Sequence, residues 1–195
     1  SDGKASLGGT QYSGSTFYIF IYLGVAAVQA VNLTFPFALG YSVTRKDYYL
    51  GTVLAFVLQS ALFTVAYVLL SYIEEWTNGW GVGGHMFSGI YFGQGALWQR
   101  LFTVFAAFLV CFFIGVVCAA VYVRWKANGL YVLGAAFAVV LVGALALITF
   151  TKSWVAVGTW FAATGATGLV AWLLIPTALA AILGYLILRR ATPRS

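Results

Sequence analysis

Five stretches of this chain run for about twenty residues without one charged side chain, which restricts the fold to something that can hide apolar surface on every side. They are residues 17–39, 49–73, 101–123, 130–150 and 169–188, and none holds an Asp, Glu, His, Lys or Arg between its ends. At about 1.5 Å per residue, each crosses a hydrocarbon core of about 30 Å as a helix. An ordinary soluble surface carries roughly a quarter charged residues. Here 7% of residues are charged and 63% apolar, with a mean hydropathy of +0.97. The predicted fold is an all-α integral membrane protein, a single transmembrane domain over 1–195 with five visible spans.

The connectors sort by charge. Arg45, Lys46, Arg124, Lys126, Arg189, Arg190 and Arg194 fall on one side, with Asp47. Lys4, Arg100 and Lys152 fall on the other, balanced by Asp2, Glu74 and Glu75. The whole net charge of +6 therefore gathers on one face. The excess of Lys and Arg marks that face as cytoplasmic and makes the basic balance a signal of topology, with no nucleic-acid partner implied. The C-terminus is then inside and the polar, Gly-rich leader 1–16 outside. The leader lacks the basic-then-apolar order of a signal peptide. Its non-Met start leads us to expect a further span upstream.

The stretch 35–52, FPFALGYSVTRKDYYLGT, interrupts two of the runs with a compact basic turn. Thr44 followed by Asp47 reads as a helix start, the hydroxyl accepting from a free N–H and the carboxylate on the positive end of the dipole. Arg45 and Lys46 are placed in the turn itself. The plain reading is a topological anchor; the functional one is a docking elbow for a cytosolic partner.

Polar residues inside the spans are few. Gln29, Asn32 and Pro36 share one helical face, either as hydrogen-bonding glue between helices or as the lining of a pathway. The second span ends in Glu74-Glu75, two carboxylates at the negative end of a helix, where they need solvent or a cation. Arg100 and Lys152 are the available cations. A solvated acidic rim is one reading and a gating or proton-linked carboxylate the other. Residues 76–98 and 152–167 are too short or too Gly-punctuated for full crossings, so they read as interfacial or re-entrant pieces on the external side. Trp76, Trp80, Tyr91 and Trp98 suit an aromatic belt, and His85 reads as interfacial. Gly115 and Ala119, four apart, would let another helix approach closely, as would Gly134 and Ala138. Pro176 predicts a kink in the fifth span.

Chemistry-bearing groups are sparse. Cys111 and Cys118 lie about 10 Å apart on one helix, too far for a disulfide. One histidine and two cysteines do not make a multi-ligand metal site. Spans without acids, bases or nucleophiles argue against an intramembrane protease, a lipid-modifying enzyme, a haem carrier or a retinal protein. No G-x-x-x-x-G-K-[ST] phosphate cradle exists.

With these residues in view, the chain resembles the membrane subunits (permeases) of bacterial ATP-binding-cassette exporters, in particular the small stand-alone permeases of high-GC Gram-positive bacteria. The likeness is carried by Phe35-Pro36-Phe37-Ala38-Leu39-Gly40, by Val43-Thr44-Arg45-Lys46-Asp47-Tyr48-Tyr49-x-Gly51-Thr52, by Glu75 with Trp80-Gly81, by Tyr122-x-Arg124-Trp125 and by Arg189-Arg190-Ala191-Thr192. The resemblance implies six helices per subunit, pairing of two permeases, and a short coupling helix in the first cytoplasmic loop resting on a separate ATPase. On that pattern Val43, Thr44, Arg45, Lys46, Asp47, Tyr48 and Tyr49 meet the ATP-binding subunit. Gln29, Asn32, Pro36 and Pro176 face the pathway or dimer seam, and Glu74 and Glu75 are candidates for an external gate. It also implies a multi-pass protein of the bacterial plasma membrane, with no catalysis and no cofactor in this chain, ATP and Mg being held by the partner. A non-transporting accessory or scaffold subunit is the alternative. A channel, which wants a ring of pore-facing polar groups, has thin support from Gln29 and Asn32.

Overall fold

The computed structural model describes residues 11–12, 15–78, 80–81, 84–85, 87 and 96–190. Most of the leader and much of the 76–98 connector lie outside the described residues, as do Tyr91 and Arg194. Four long helices carry the fold: α1 (Ser15–Gly40), α2 (Arg45–Trp76), α3 (Leu97–Phe150) and α4 (Trp154–Arg190). All four are long and apolar enough to cross a membrane, which marks the chain as a multi-pass membrane protein. Among the described residues, the one departure from an all-helical fold is a pair of two-residue strands, β1 (Gln11–Tyr12) and β2 (Gly84–His85), paired in parallel with Gln11 opposite Gly84. A two-residue strand has no periodicity to reveal it in sequence.

The helix ends follow local chemistry. Thr44 caps α2, its Oγ1 accepting from Asp47 N at 3.1 Å, as the Thr44/Asp47 spacing predicts. At α3 the Gln99 side chain accepts from Ala96 N at 3.2 Å. The end of α1 is a Schellman turn, in which Val43 N donates to Ala38 O and Ser42 N to Leu39 O, both at 3.1 Å. Ser42 takes the left-handed position at φ 61°, a place usually given to glycine.

One expected connector is absent as a loop. The segment 124–129, read as a turn, is helical on both sides of a single non-helical residue, Lys126 (φ 58°, ψ −150°). The third and fourth expected spans are thus two runs of α3. One residue in an unusual conformation redirects the chain while its neighbours keep helical dihedrals, so the basic pair need not cost any helix. Gly129 shows how sharp the redirection is, because a Cβ there would lie 2.6 Å from Trp125 Cβ and 2.9 Å from Val121 Cγ1. The piece read as interfacial or re-entrant, 152–167, begins with a turn at Lys152 and Ser153 and then joins the fifth span as α4, broken at Gly165 (φ 62°, ψ 176°). The non-helical point in α4 is therefore Gly165. The backbone dihedrals stay helical through Pro176, and through Pro36 in α1.

Packing gives the helix directions. Phe20 meets Phe108 at 4.9 Å between ring centroids, and Gly24 and Ala27 lie against Gly115, so α1 runs parallel to the first run of α3. Phe56 stacks on Phe112 and Phe63 meets Phe108, so α2 runs the other way. Thr103 bonds Thr167 at 3.0 Å and Val116 lies beside Gly184, so the later run of α4 is again parallel to α3. The core between them is aromatic and aliphatic, centred on Phe20, Val31, Phe35, Phe56, Val104, Phe108, Phe112 and Val116. In this arrangement Arg45, Lys46, Arg124, Lys126 and Arg189 come to one end of the bundle. Glu74, Glu75 and Arg100 come to the other, so the charge sorting read from the connectors holds for these residues.

Candidate functional site

The elbow between α1 and α2 is short, with only residues 41–44 separating the two helices. The resemblance implies a separate coupling helix here. The chain instead enters α2 directly, and Arg45 is the first residue of that helix rather than part of the turn. Two sets of side chains leave this first turn in different directions.

One set points inward and ties the elbow to its neighbours. Arg45 Nη1 donates to Arg189 O at 2.8 Å, a cation on the negative end of α4. The Tyr48 hydroxyl pairs with Thr34 Oγ1 at 2.7 Å, and its ring stands edge-on to Phe35 at 5.2 Å. Buried Tyr49 donates through its hydroxyl to Ala181 O at 2.5 Å and packs its ring on Tyr185. The start of α2 is therefore fastened to α1 by Tyr48 and to α4 by Arg45 and Tyr49. The other set, Val43, Thr44, Lys46 and Asp47, is exposed. Asp47 is occupied locally, accepting from the Thr44 hydroxyl at 2.5 Å. Lys46 and Val43 form the outward tip with Tyr41, which is 77% exposed.

The acidic end differs from its expected solvated rim. Glu74 is fully buried, and its Oε2 accepts from Trp80 Nε1 at 3.1 Å and Phe87 N at 2.9 Å. Both donors belong to residues that follow α2, and they hold the carboxylate at the end of that helix. Glu75 behaves as read, pairing with Arg100 at 2.7 Å. Arg100 also donates to Ser71 Oγ at 3.3 Å and lies over the Tyr72 ring at 5.0 Å. Of the two expected cations, Arg100 is the partner.

The proposed pathway residues do not converge within the single chain. The buried stripe of α1 is Phe20, Ala27, Val31 and Phe35, and Gln29 and Pro36 are exposed, away from it. Asn32 is half-buried, with Oδ1 lacking a hydrogen-bond partner among the described residues. Pro176 is exposed on α4. Gln29, Pro36 and Pro176 thus lie on the outside of the bundle, whereas the Asn32 Oδ1 is buried.

A further polar feature lies inside the bundle. Ser60, Thr64, Ser71 and Glu74 all lie buried on one face of α2, at helical spacings of four, seven and three residues that the sequence displays. Ser60, Thr64 and Ser71, with Thr103 and Thr167 bonded to each other across nearby helices, add hydroxyl groups to the half of the bundle nearest the acidic end. Cys111 and Cys118 are both free thiols. Among the described residues no cluster of three or more His, Cys, Asp or Glu could hold a metal.

Comparison of the chain with protein-family models, with curated proteins and with solved structures yields no match.

Proposed function

We propose that this chain is the membrane-spanning subunit of an ATP-binding-cassette exporter, working as a dimer and coupled through residues 43–49 to a separate ATPase. The observation that carries the reading is the fastening of the elbow. Arg45, Tyr48 and Tyr49 join the first turn of α2 to both α1 and α4, so a push on the exposed Lys46 tip would move three helices as one body. Rigid-body motion of packed helices is an ordinary switching mode. The outward placing of Gln29, Pro36 and Pro176 agrees with a pathway or seam formed between two subunits.

On this reading the chain crosses a bacterial plasma membrane five times, as part of a six-helix exporter-type permease with its basic end and C-terminus cytoplasmic. The parallel directions of the first α3 run and the later α4 run support the count, since the chain between them has to return. Residues 127–150 rise about 36 Å, enough for that return, whereas 154–164 rise only about 16 Å and stay at one interface. The subunit itself is non-catalytic and holds no cofactor; ATP and Mg belong to the partner.

The test is co-purification of the chain with an ATPase. Lys46→Glu reverses the exposed cation without touching an internal bond and should release that ATPase or uncouple its hydrolysis. Alanine at Arg45, Lys46 and Asp47 together should do the same. An accessory or scaffold subunit would show neither effect, and an unchanged complex with unchanged coupled hydrolysis would end the transporter reading.

A further inference from the structure

The redirection of α3 at Lys126 leaves a groove that the transporter reading does not use. It has a volume of about 500 Å³ and is lined by Val121, Trp125, Asn128, Val132, Leu133 and Ala136, together with Gly129 at its base. That volume falls within the roughly 300–1,000 Å³ of sites that hold a small ligand. All of the lining is apolar except Asn128. At its rim stands Arg124, whose guanidinium lies 4.4 Å from the centroid of the Trp125 ring. Lys126, at the break itself, is exposed. The later run of α3 also begins here, so the positive end of its dipole adds to the same rim.

We propose that this groove binds one anionic phospholipid, with an acyl chain along Val121, Val132 and Ala136 and the phosphate on Arg124 and Lys126. The charge arrangement selects this occupant. Within a bilayer an acyl chain gains nothing by leaving other acyl chains for an apolar groove, because both surroundings are hydrocarbon. Retention must therefore come from the headgroup. Arg124, against the Trp125 ring, and exposed Lys126 are the cations beside the groove, and no carboxylate is among the residues that line it. Juxtamembrane cations of this kind attract anionic headgroups. Trp125 adds an amphipathic ring at the level where headgroup meets tail, a position such rings favour. The inference does not depend on transport.

The experiment is native mass spectrometry of the full chain in detergent, titrated with phosphatidylglycerol or phosphatidylcholine. The expected result is a one-to-one adduct preferring phosphatidylglycerol by roughly fivefold per cation, about 30-fold for the pair. Arg124→Gln with Lys126→Gln should abolish the preference. Ala136→Phe, which fills the groove and leaves both charges, should remove the adduct altogether. Equal retention of the two lipids would overturn the proposal. So would a preference that survives loss of both cations, or a lipid-free dimer that Ala136→Phe dissociates, which would make a second copy the occupant.

Discussion

Replacing Gly115 with alanine should drive α1 and α3 apart, and the structure gives the size of the effect. A Cβ at Gly115 would sit 2.7 Å from Gly24 O and 2.8 Å from Ala27 Cβ, against 3.4–4 Å for ordinary contact. The shortfall is borne by backbone on one side and by a methyl with no rotamer on the other, so no side chain can swing away. The helices themselves must shift by several tenths of an ångström. That shift loosens the Phe20–Phe108 contact and the packing of Val31 and Val116, all in the core. Overpacking of this kind costs about 1–3 kcal/mol. Gly134 provides the control, because a Cβ there meets nothing within 4 Å. Gly134→Ala should be neutral or stabilising by up to about 1 kcal/mol, since alanine is the better helix former. Reversible unfolding in mixed micelles, followed by circular dichroism, would rank the two variants. Gly115→Ala as stable as Gly134→Ala would refute the close approach of α1 to α3.

Three further outcomes follow from individual sites. Glu74→Ala removes the buried acceptor of the Trp80 and Phe87 donors and should cost about 1–3 kcal/mol in the same unfolding assay; Glu74→Gln, which keeps one acceptor oxygen, should lose less. Arg100→Ala should destabilise more than Glu75→Ala by about 1 kcal/mol, because Arg100 also bonds Ser71 and covers Tyr72, and equal losses would reduce its role to the ion pair. Lys126→Gly and Ser42→Gly each relieve a positive φ and should raise stability by about 1 kcal/mol; a loss at Lys126 would show that its backbone is not held at the break.

How much could be read beforehand depended on how local the cause was. The cap at Thr44 involves groups three residues apart, and the Glu75–Arg100 pair joins the only acidic end to a cation already placed on its side. The burial of Glu74 is not legible in the sequence, because the donors it meets, Trp80 Nε1 and Phe87 N, stand six and thirteen residues away and reach it only through the fold. The 124–129 segment was read as a loop because Asn128-Gly129 and two cations signal a turn. Redirection there needed one residue, Lys126, and composition does not reveal that. The fastening of the elbow was also invisible: Tyr48 and Tyr49 are adjacent in sequence, yet one reaches α1 and the other α4.

By itself the sequence determined that this chain belongs in a membrane and that its basic residues gather at one end. The first follows from the transfer cost of charged groups into hydrocarbon, which acts on each segment independently, and the second from the bias of Lys and Arg toward the connectors of one membrane face. Only the tertiary structure decided which carboxylate is buried, which tyrosine binds which helix and where the two long helices break. Those outcomes depend on contacts between segments far apart in the chain, whose distances and shapes no local pattern encodes.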